Sequence, residues 1–396
     1  MDLSLCMIVK NEESLLPQCL QSVNEIVDEM VILDTGSSDR TVEIAREFGC
    51  RVYHFEWCND FSTARNEALK YVQGEWVLVL DADEVLTPDV VPEIKQAIKK
   101  DSHLVINLIR QEVGASQCPY SLVSRLFRNH PAVRFSRPYH AMVDDSVQEL
   151  LQREPQWQVV SLSTVAMLHY GYQSEAIAAR DKYARARTAM EGFLASHPND
   201  AYVCSKLGAL YIQIGQLSEG MALLKRGLSS TPIEGSVLFE LHYHLGNAYT
   251  RLPDLNSAVV HYQAAIQQPI LPQLKLGAYN NLGNLLLSAG DLTTAKKAYE
   301  TTLKIDPSFA AGHNNLGMTL KALGRMEEAI ASYQKAIQLN PDYADAYQNL
   351  GVVLLKIGQI PQSLSAFGKA IALHEKHNPS EAQRLREGLE EMGFQV

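Results

Sequence analysis

Residues 74–83 read Gly74-Glu75-Trp76-Val77-Leu78-Val79-Leu80-Asp81-Ala82-Asp83, an apolar run that ends in two carboxylates one residue apart. A short apolar run bounded by Gly-Glu and by an acidic turn suits a central parallel strand, and open α/β sheets bind ligands beyond the carboxyl ends of such strands. Two acids at that tip can share a hard divalent cation, Mg²⁺ or Mn²⁺, whose remaining positions diphosphate oxygens can fill. The other reading of Asp81 and Asp83 is an acidic turn capping a helix that starts near Pro88, because Asp is common in turns and at helix starts.

The flanking sequence supplies the rest of a β-α-β-α order. Leu3 to Val9 reads as a first strand, followed by Lys10-Asn11-Glu12-Glu13 and an amphipathic stretch from Ser14 to Val23. Met30 to Leu33 ends in Asp34-Thr35-Gly36-Ser37-Ser38-Asp39 and leads into a helix from Arg40 to Phe48, with Gly49 as its stop. Arg51 to Phe55 continues as a strand, Phe61 to Val72 as a helix and Trp76 to Leu80 as the next strand. A parallel sheet would gather Asn11 and Glu12, Asp34, and the Asp81/Asp83 pair along one edge.

This succession, with Arg65-Asn66-Glu67-Ala68 and Gly74-Glu75-Trp76 between the acidic motifs, resembles the family 2 glycosyltransferases of the GT-A fold, closely as far as Arg110 and loosely as far as Tyr170. The resemblance implies an α/β GT-A (Rossmann-like) domain over residues 1–172, a nucleotide-diphosphate sugar donor, a divalent metal and inversion at the anomeric carbon. By position it implies that Asp34 contacts the base or ribose, that Asn11 and Glu12 line the same pocket, and that Arg65 approaches the diphosphate. Asp81 would meet the ribose and the metal, and Asp83 would bind the metal directly. His169-Tyr170-Gly171-Tyr172 is similar to an element closing the family's catalytic domain, with His169 a further metal or phosphate contact. The chemistry is consistent: the departing nucleoside diphosphate gains negative charge, which a metal and Arg65 would stabilise. The blander alternatives are Arg65 as a helix residue paired with Glu67 or Asp60, Asp34 as a turn residue, and His169 as structural.

From Glu84 to Tyr172 the pattern is less regular. His103 to Arg110, Tyr120 to Arg128, Val133 to Val143 and Trp157 to His169 read as strands. Direct displacement needs a group that takes the acceptor proton, and the candidates in this span are His140, Asp144, Asp145 and, after them, Glu112. In related enzymes an acidic residue often follows the equivalent of His140, whereas Ala141 stands here.

A chain of 396 residues, 46% hydrophobic, has room for two or more full cores. The net charge of −10 lies in residues 1–172, where 25 Asp+Glu face 15 Lys+Arg, and the rest is balanced. An acidic first domain argues against nucleic acid as a partner but not against a diphosphate whose charge a metal neutralises. The cysteines (Cys6, Cys19, Cys50, Cys58, Cys118, Cys204) form no C-x-x-C pair, so a reducing, cytoplasmic setting is expected. No basic n-region precedes Leu3 and no apolar stretch approaches the roughly 18 residues of a span, so neither a signal peptide nor a membrane span is expected.

The second half repeats. Leu-Gly pairs at Gly208, Gly246, Gly283, Gly317 and Gly351 are spaced by 38, 37, 34 and 34 residues, the period of tetratricopeptide (TPR) repeats. An all-α TPR solenoid of about five repeats is expected over 199–376, with a linker helix at 173–198 that begins near Ser174. A polar capping helix should fill 377–396, and the extra residues of the longer repeats fall around Pro253 and Gln268 to Pro272. Asn281, Asn315 and Asn349 each precede a Leu-Gly pair, and amides that donate and accept together could grip an extended acceptor peptide. That spacing resembles the asparagine ladder of O-GlcNAc transferases, although Asn is also frequent at this position in repeats generally.

The expectation is a metal-dependent glycosyltransferase whose solenoid presents a protein or peptide acceptor. One alternative acts on a surface glycan or lipid precursor, with the repeats binding a partner protein. Another is an inactive scaffold, supported by Ala141 and opposed by the intact Asp81 and Asp83. A sugar nucleotidyltransferase would need a Gly-rich loop after the first strand, and Cys6 to Glu12 has no Gly.

Overall fold

The computed structural model describes residues 2–115, 119–171, 176–252 and 254–394. Cys118, Tyr172, Ser174 and Pro253, named above, lie outside the described residues. The alternating order appears as read: β1 (Leu3–Val9), α1 (Leu16–Val23), β2 (Glu29–Asp34), α2 (Thr41–Glu47), β3 (Arg51–His54), α3 (Phe61–Leu69) and β4 (Trp76–Val79). There follow β5 (Glu84–Leu86), a 3-10 turn, α4 (Val91–Ala97), β6 (His103–Glu112), β7 (Tyr120–Arg128), α5 (Asp144–Arg153) and β8 (Gln158–His169).

The sheet order is β3-β2-β1-β4-β7-β6-β8-β5. β1 pairs in parallel with β2 and β4, and β2 with β3, so these four strands point their carboxyl ends the same way. The sheet is not parallel throughout: β7 joins β4 antiparallel, β6 joins β7 antiparallel, and β5 closes on β8 antiparallel. The central strands are buried on both faces, which is why they read as unbroken apolar runs. Leu16, Leu20 and Val23 of α1 cover one face, and Ala64 and Ala68 of α3 with Val147 and Leu150 of α5 cover the other.

Two expectations are corrected. Val133 to Val143 supplies no strand among the described residues, only an isolated bridge between Ser136 and Met142. Pro138 has no N–H for a ladder, and Arg137 (φ 72°) and His140 (φ 53°) are left-handed, which ends extended pairing. Val147, Leu150 and Leu151 instead follow helical spacing, so Asp144 and Asp145 open α5. Asp81 and Asp83 also cap no later helix. They form the turn between β4 and β5, and the 3-10 turn at Pro88 has no side-chain cap.

The helical part comprises α6 (Ala176–Ser196), α7 (Ala201–Gln213), α8 (Leu217–Leu228), α9 (Gly235–Arg251), α10 (Leu255–Ile266), α11 (Leu276–Ser288), α12 (Leu292–Ile305), α13 (Ala310–Ala322), α14 (Met326–Leu339), α15 (Ala344–Lys356), α16 (Ile360–His377) and α17 (Pro379–Glu391). Contacts divide the chain into two compact units: the first runs to Ile233 and holds the sheet with α6–α8, and the second holds α9–α17 from Glu234 on. In the second, the Leu-Gly glycine sets the period by close approach. A Cβ at Gly283 or Gly317 would stand 2.7 Å from the ring of Tyr299 or Tyr333, both fully buried. The amphipathic α17 lays Leu385 and Leu389 against Phe367 and Ile371 of α16, as a solenoid cap should.

Candidate active site

The Asp81 carboxylate is gripped from both sides by buried guanidinium groups. Asp60 caps α3 by accepting from the backbone of Ser62 (2.8 Å) and Thr63 (3.1 Å), which fixes the helix start and places Arg65 in its buried face. Arg65 Nη2 donates to Asp81 Oδ1 at 2.6 Å, and Arg125 Nη2, from β7, donates to Oδ2 at 3.0 Å. The Nη1 atoms of both arginines are buried without a hydrogen-bond partner among the described residues. Burial by itself would raise the Asp81 pKa, but Arg125 and Arg65 outweigh it and hold the carboxyl far below the usual range. Two guanidinium groups thus share one carboxylate beyond the end of β4, with N–H faces suited to a diphosphate. The alternative partners of Arg65 are excluded, since Glu67 takes Lys70 at 2.5 Å and Asp60 is the helix cap.

A second chain of charges supports the turn. His169 Nε2 lies 3.0 Å from Asp83 Oδ2, and its Nδ1 bonds to Glu112. Arg110 links Glu112 (2.9 Å) to the fully buried Glu84 (3.1 Å), whose Oε2 accepts the Asp81 backbone N–H at 2.9 Å. Sheet register makes this possible, because Glu84 and Glu112 both face His169 across its pairing strands. Burial disfavours the His169 imidazolium, yet its bonds to Asp83 and Glu112 prevail and push the pKa up to about 9.

Asp83 and His169 are the pair a cation would bridge, in place of the proton they share. The 3.0 Å between Asp83 Oδ2 and His169 Nε2 is the length of an N–H···O hydrogen bond. Gly171 keeps that place open: a Cβ there would stand 2.7 Å from the imidazole and 3.0 Å from Asp83 Oδ2. Each Asp81 oxygen accepts one bond from an arginine, so a metal shared by Asp81 and Asp83 would take a remaining lone pair of Asp81. Among the described residues no group of three or more His, Cys, Asp or Glu is arranged to hold a metal, so any further ligands would be substrate oxygens and water.

At the tips of β1 and β2, loops are tied to each other. Asn11, left-handed at φ 57°, donates its N–H to Ser37 Oγ (3.0 Å) and accepts from Ser38 N–H (2.8 Å). The Glu12 N–H bonds to Thr41 Oγ1 at 2.8 Å. Asp34 is buried and accepts from the N–H groups of Gly36 and Ser37, each at 3.1 Å, which shapes its own turn.

The base candidates separate. His140 is exposed, and Asp145 is paired with Arg137 at 2.5 Å. Asp144, half-buried in the first turn of α5, lies 2.9 Å from the Ser124 hydroxyl. Adjacent residues of β7, Ser124 and Arg125, thus hold Asp144 and Asp81. Arg125, Glu84 and Arg110 were missed by sequence reasoning; for Arg125 the available signal was a charged residue within a strand, next to the buried Leu126 and Phe127.

The repeated asparagines knit one repeat to the next. The Asn281 amide donates to Asn247 (3.0 Å), Asn315 to Asn280 (3.0 Å) and Asn284 (3.1 Å), and Asn349 to Asn314 (3.1 Å). Replacing all three by Ala should therefore lower stability in urea by about 0.5–1.5 kcal/mol per position. An unchanged urea midpoint would show that these bonds carry no weight.

Residues 4–159 match the family described as glycosyl transferase family 2, and residues 276–309, 319–358 and 344–381 match tetratricopeptide repeat families. A TPR repeat-containing protein of Synechococcus elongatus is 45% identical over 304 residues, covering 77% of this chain and 75% of that protein. The prophage-derived glycosyltransferase SunS of Bacillus subtilis is 31% identical over 140 residues, 34% of this chain and 32% of its own. An uncharacterized glycosyltransferase of Rickettsia felis is 33% identical over 154 residues, 37% of this chain and 54% of its own. The chain thus spans about a third to a half of these two glycosyltransferases. Among solved structures, MamA of Desulfovibrio magneticus is 19% identical with a TM-score of 0.40, covering 46% of this chain and 98% of its own. No helix among the described residues is long and apolar enough to cross a membrane. By its 45% identity over most of both chains, the protein belongs to the family of the Synechococcus TPR repeat-containing protein, and in this chain a region matching glycosyl transferase family 2 is followed by tetratricopeptide repeats.

Proposed function

We propose that the first unit moves a sugar from a nucleoside-diphosphate sugar to an acceptor by a single displacement with inversion. The observation that carries this reading is the pair of buried Nη1 groups of Arg65 and Arg125, unpartnered among the described residues, on the side chains that hold Asp81 at the end of β4. The bond between the anomeric carbon and the diphosphate oxygen breaks, the acceptor atom bonds to that carbon from the opposite face, and its proton passes to a base. Arg65 and Arg125 receive the charge that develops on the leaving diphosphate. A divalent cation held by Asp83 and His169 would neutralise the same charge when bound.

Asp144 is the base in this reading, because the Ser124 hydroxyl fixes it while Arg137 engages Asp145 and His140 stands exposed. Asp144→Asn should lower kcat by roughly 10²–10⁴-fold with donor affinity unchanged. Equal loss of both would move the base elsewhere.

The repeat array holds a protein or peptide acceptor, and Asn281, Asn315 and Asn349 serve that surface by fixing helix spacing. A cytoplasmic setting suits the exposed thiol of Cys58. Calorimetric titration of uridine and guanosine diphosphate sugars with and without Mn²⁺ tests the donor reading. Binding by one of them is expected with the cation present, and no binding by any of them in either condition would sink the reading.

A further inference from the structure

The loop that leads to the base candidates is held from the helical side of its own unit. Ser136 and Met142 close it with two backbone bonds, at 2.9 and 3.2 Å. Inside it, Arg137 and His140 have positive φ, a conformation that non-glycine residues keep only where their surroundings over-determine it. Those surroundings come largely from α6 and α7. Arg137, 8% exposed, sits between two carboxylates, with Nη1 2.5 Å from Asp145 and Nη2 2.8 Å from Asp200. Asp200 is also the N-cap of α7: its Oδ1 accepts from Val203 N–H at 2.8 Å while its Oδ2 takes Arg137. Tyr202, in the first turn of α7, lies under the guanidinium at 5.1 Å and donates its hydroxyl to the His140 carbonyl at 3.5 Å. Tyr139 packs into the apolar cluster of α6 and α7 and meets Phe61 edge-on at 5.5 Å. On the other flank the Phe61 N–H donates to the Pro138 carbonyl at 3.0 Å.

We propose that Arg137, Tyr139 and Asp200 are positioning residues, through which the first helical pair sets the loop presenting His140 and the start of α5. The transferase unit then extends through α8 to Ile233, and α7 is a wall of it rather than a tether for a detached array. One carboxylate, Asp200, both starts the first repeat helix and anchors the loop, so the order of the loop is linked to the order of that helix.

The link to turnover rests on the glycosyl-transfer reading, but the deciding measurement uses no sugar and fails or stands by itself. Asp200→Asn removes the charge and keeps the cap, since Asn and Asp cap equally well. In the full chain, amide hydrogen exchange at Ser136 and Met142 should quicken by roughly tenfold or more, while Val77 to Val79 of β4 keep their protection. Arg137→Lys, which can reach only one carboxylate at a time, should loosen the same two amides to a lesser degree. Exchange at Ser136 and Met142 unchanged in both folded variants overturns the proposal, and so does an equal acceleration through the sheet. With whichever nucleotide sugar turns over, Asp200→Asn should lower kcat about tenfold or more with donor KM unchanged. A loosened loop with unaltered kcat would reduce Arg137 and Asp200 to a structural ion pair.

Discussion

Asp81→Ala should cost the first unit about 3 kcal/mol of stability. Breaking a buried ion pair by removing one partner costs roughly 3–5 kcal/mol, because the charge left behind stays buried without compensation. Here two charges are left behind, on side chains only 7% and 13% exposed, and they would face each other. The Asp81 side chain is itself 34% exposed, so water can relax into the gap and the lower end of the range applies. Already in the intact protein, burial and the neighbouring Arg125 draw the Arg65 pKa down, which is the strain the carboxylate relieves. The effect has a pH signature. The Asp81 pKa is depressed on folding, so its contribution is complete above the unfolded carboxyl value of about 4 and is lost as pH falls below it. Urea unfolding of wild type and Asp81→Asn should therefore differ most at neutral pH and converge in acid. A stability gap below about 1 kcal/mol at pH 7, the size of an exposed pair, would show that Asp81 is no counter-charge.

What the sequence disclosed about this site followed the reach of its local patterns. The tips of β1, β2 and β4 were legible because parallel α/β order is fixed by runs of a few residues, and parallel pairing then brings Asn11, Asp34 and Asp81 to one edge. Arg125 was not legible as a partner of Asp81. The two lie 44 positions apart, and their meeting depends on β7 entering antiparallel beside β4, which no local pattern encodes. Glu112 and His169, 57 apart, meet for the same kind of reason. Val133 to Val143 reads as a strand from its residues, but Pro138 lacks the N–H a ladder needs, and the left-handed backbone at Arg137 and His140 is set by tertiary contacts that no local pattern shows. The repeats were readable since each Gly–Tyr contact lies within one repeat, at a fixed offset. The direction of the Asn281, Asn315 and Asn349 amides was not, yet Asn247, Asn280, Asn284 and Asn314 stood in the sequence as their partners.

Glu112→Gln should weaken Mn²⁺-dependent binding of uridine diphosphate by about 10–100-fold, the usual cost of losing an outer partner of a metal-binding histidine. Glu112 touches no part of the proposed cation position. It bonds to His169 Nδ1 and is itself held by Arg110, so its effect would pass through the orientation and basicity of the imidazole. Asp83→Asn should cost at least as much, since the oxygen facing His169 Nε2 would lose its charge. Gly171→Ala supplies an independent check with no change of charge, because its methyl group would enter the space shared by the imidazole and the Asp83 carboxylate. All three variants leave Arg65, Asp81 and Arg125 in place, so a weak, cation-independent affinity for the diphosphate should persist in each. Calorimetry with and without chelator separates the two contributions. If uridine diphosphate binds wild type equally with Mn²⁺ and with chelator, the arginines alone hold the diphosphate, and Asp83, His169 and Glu112 form a charge network that only fastens β5 and β6 to β8.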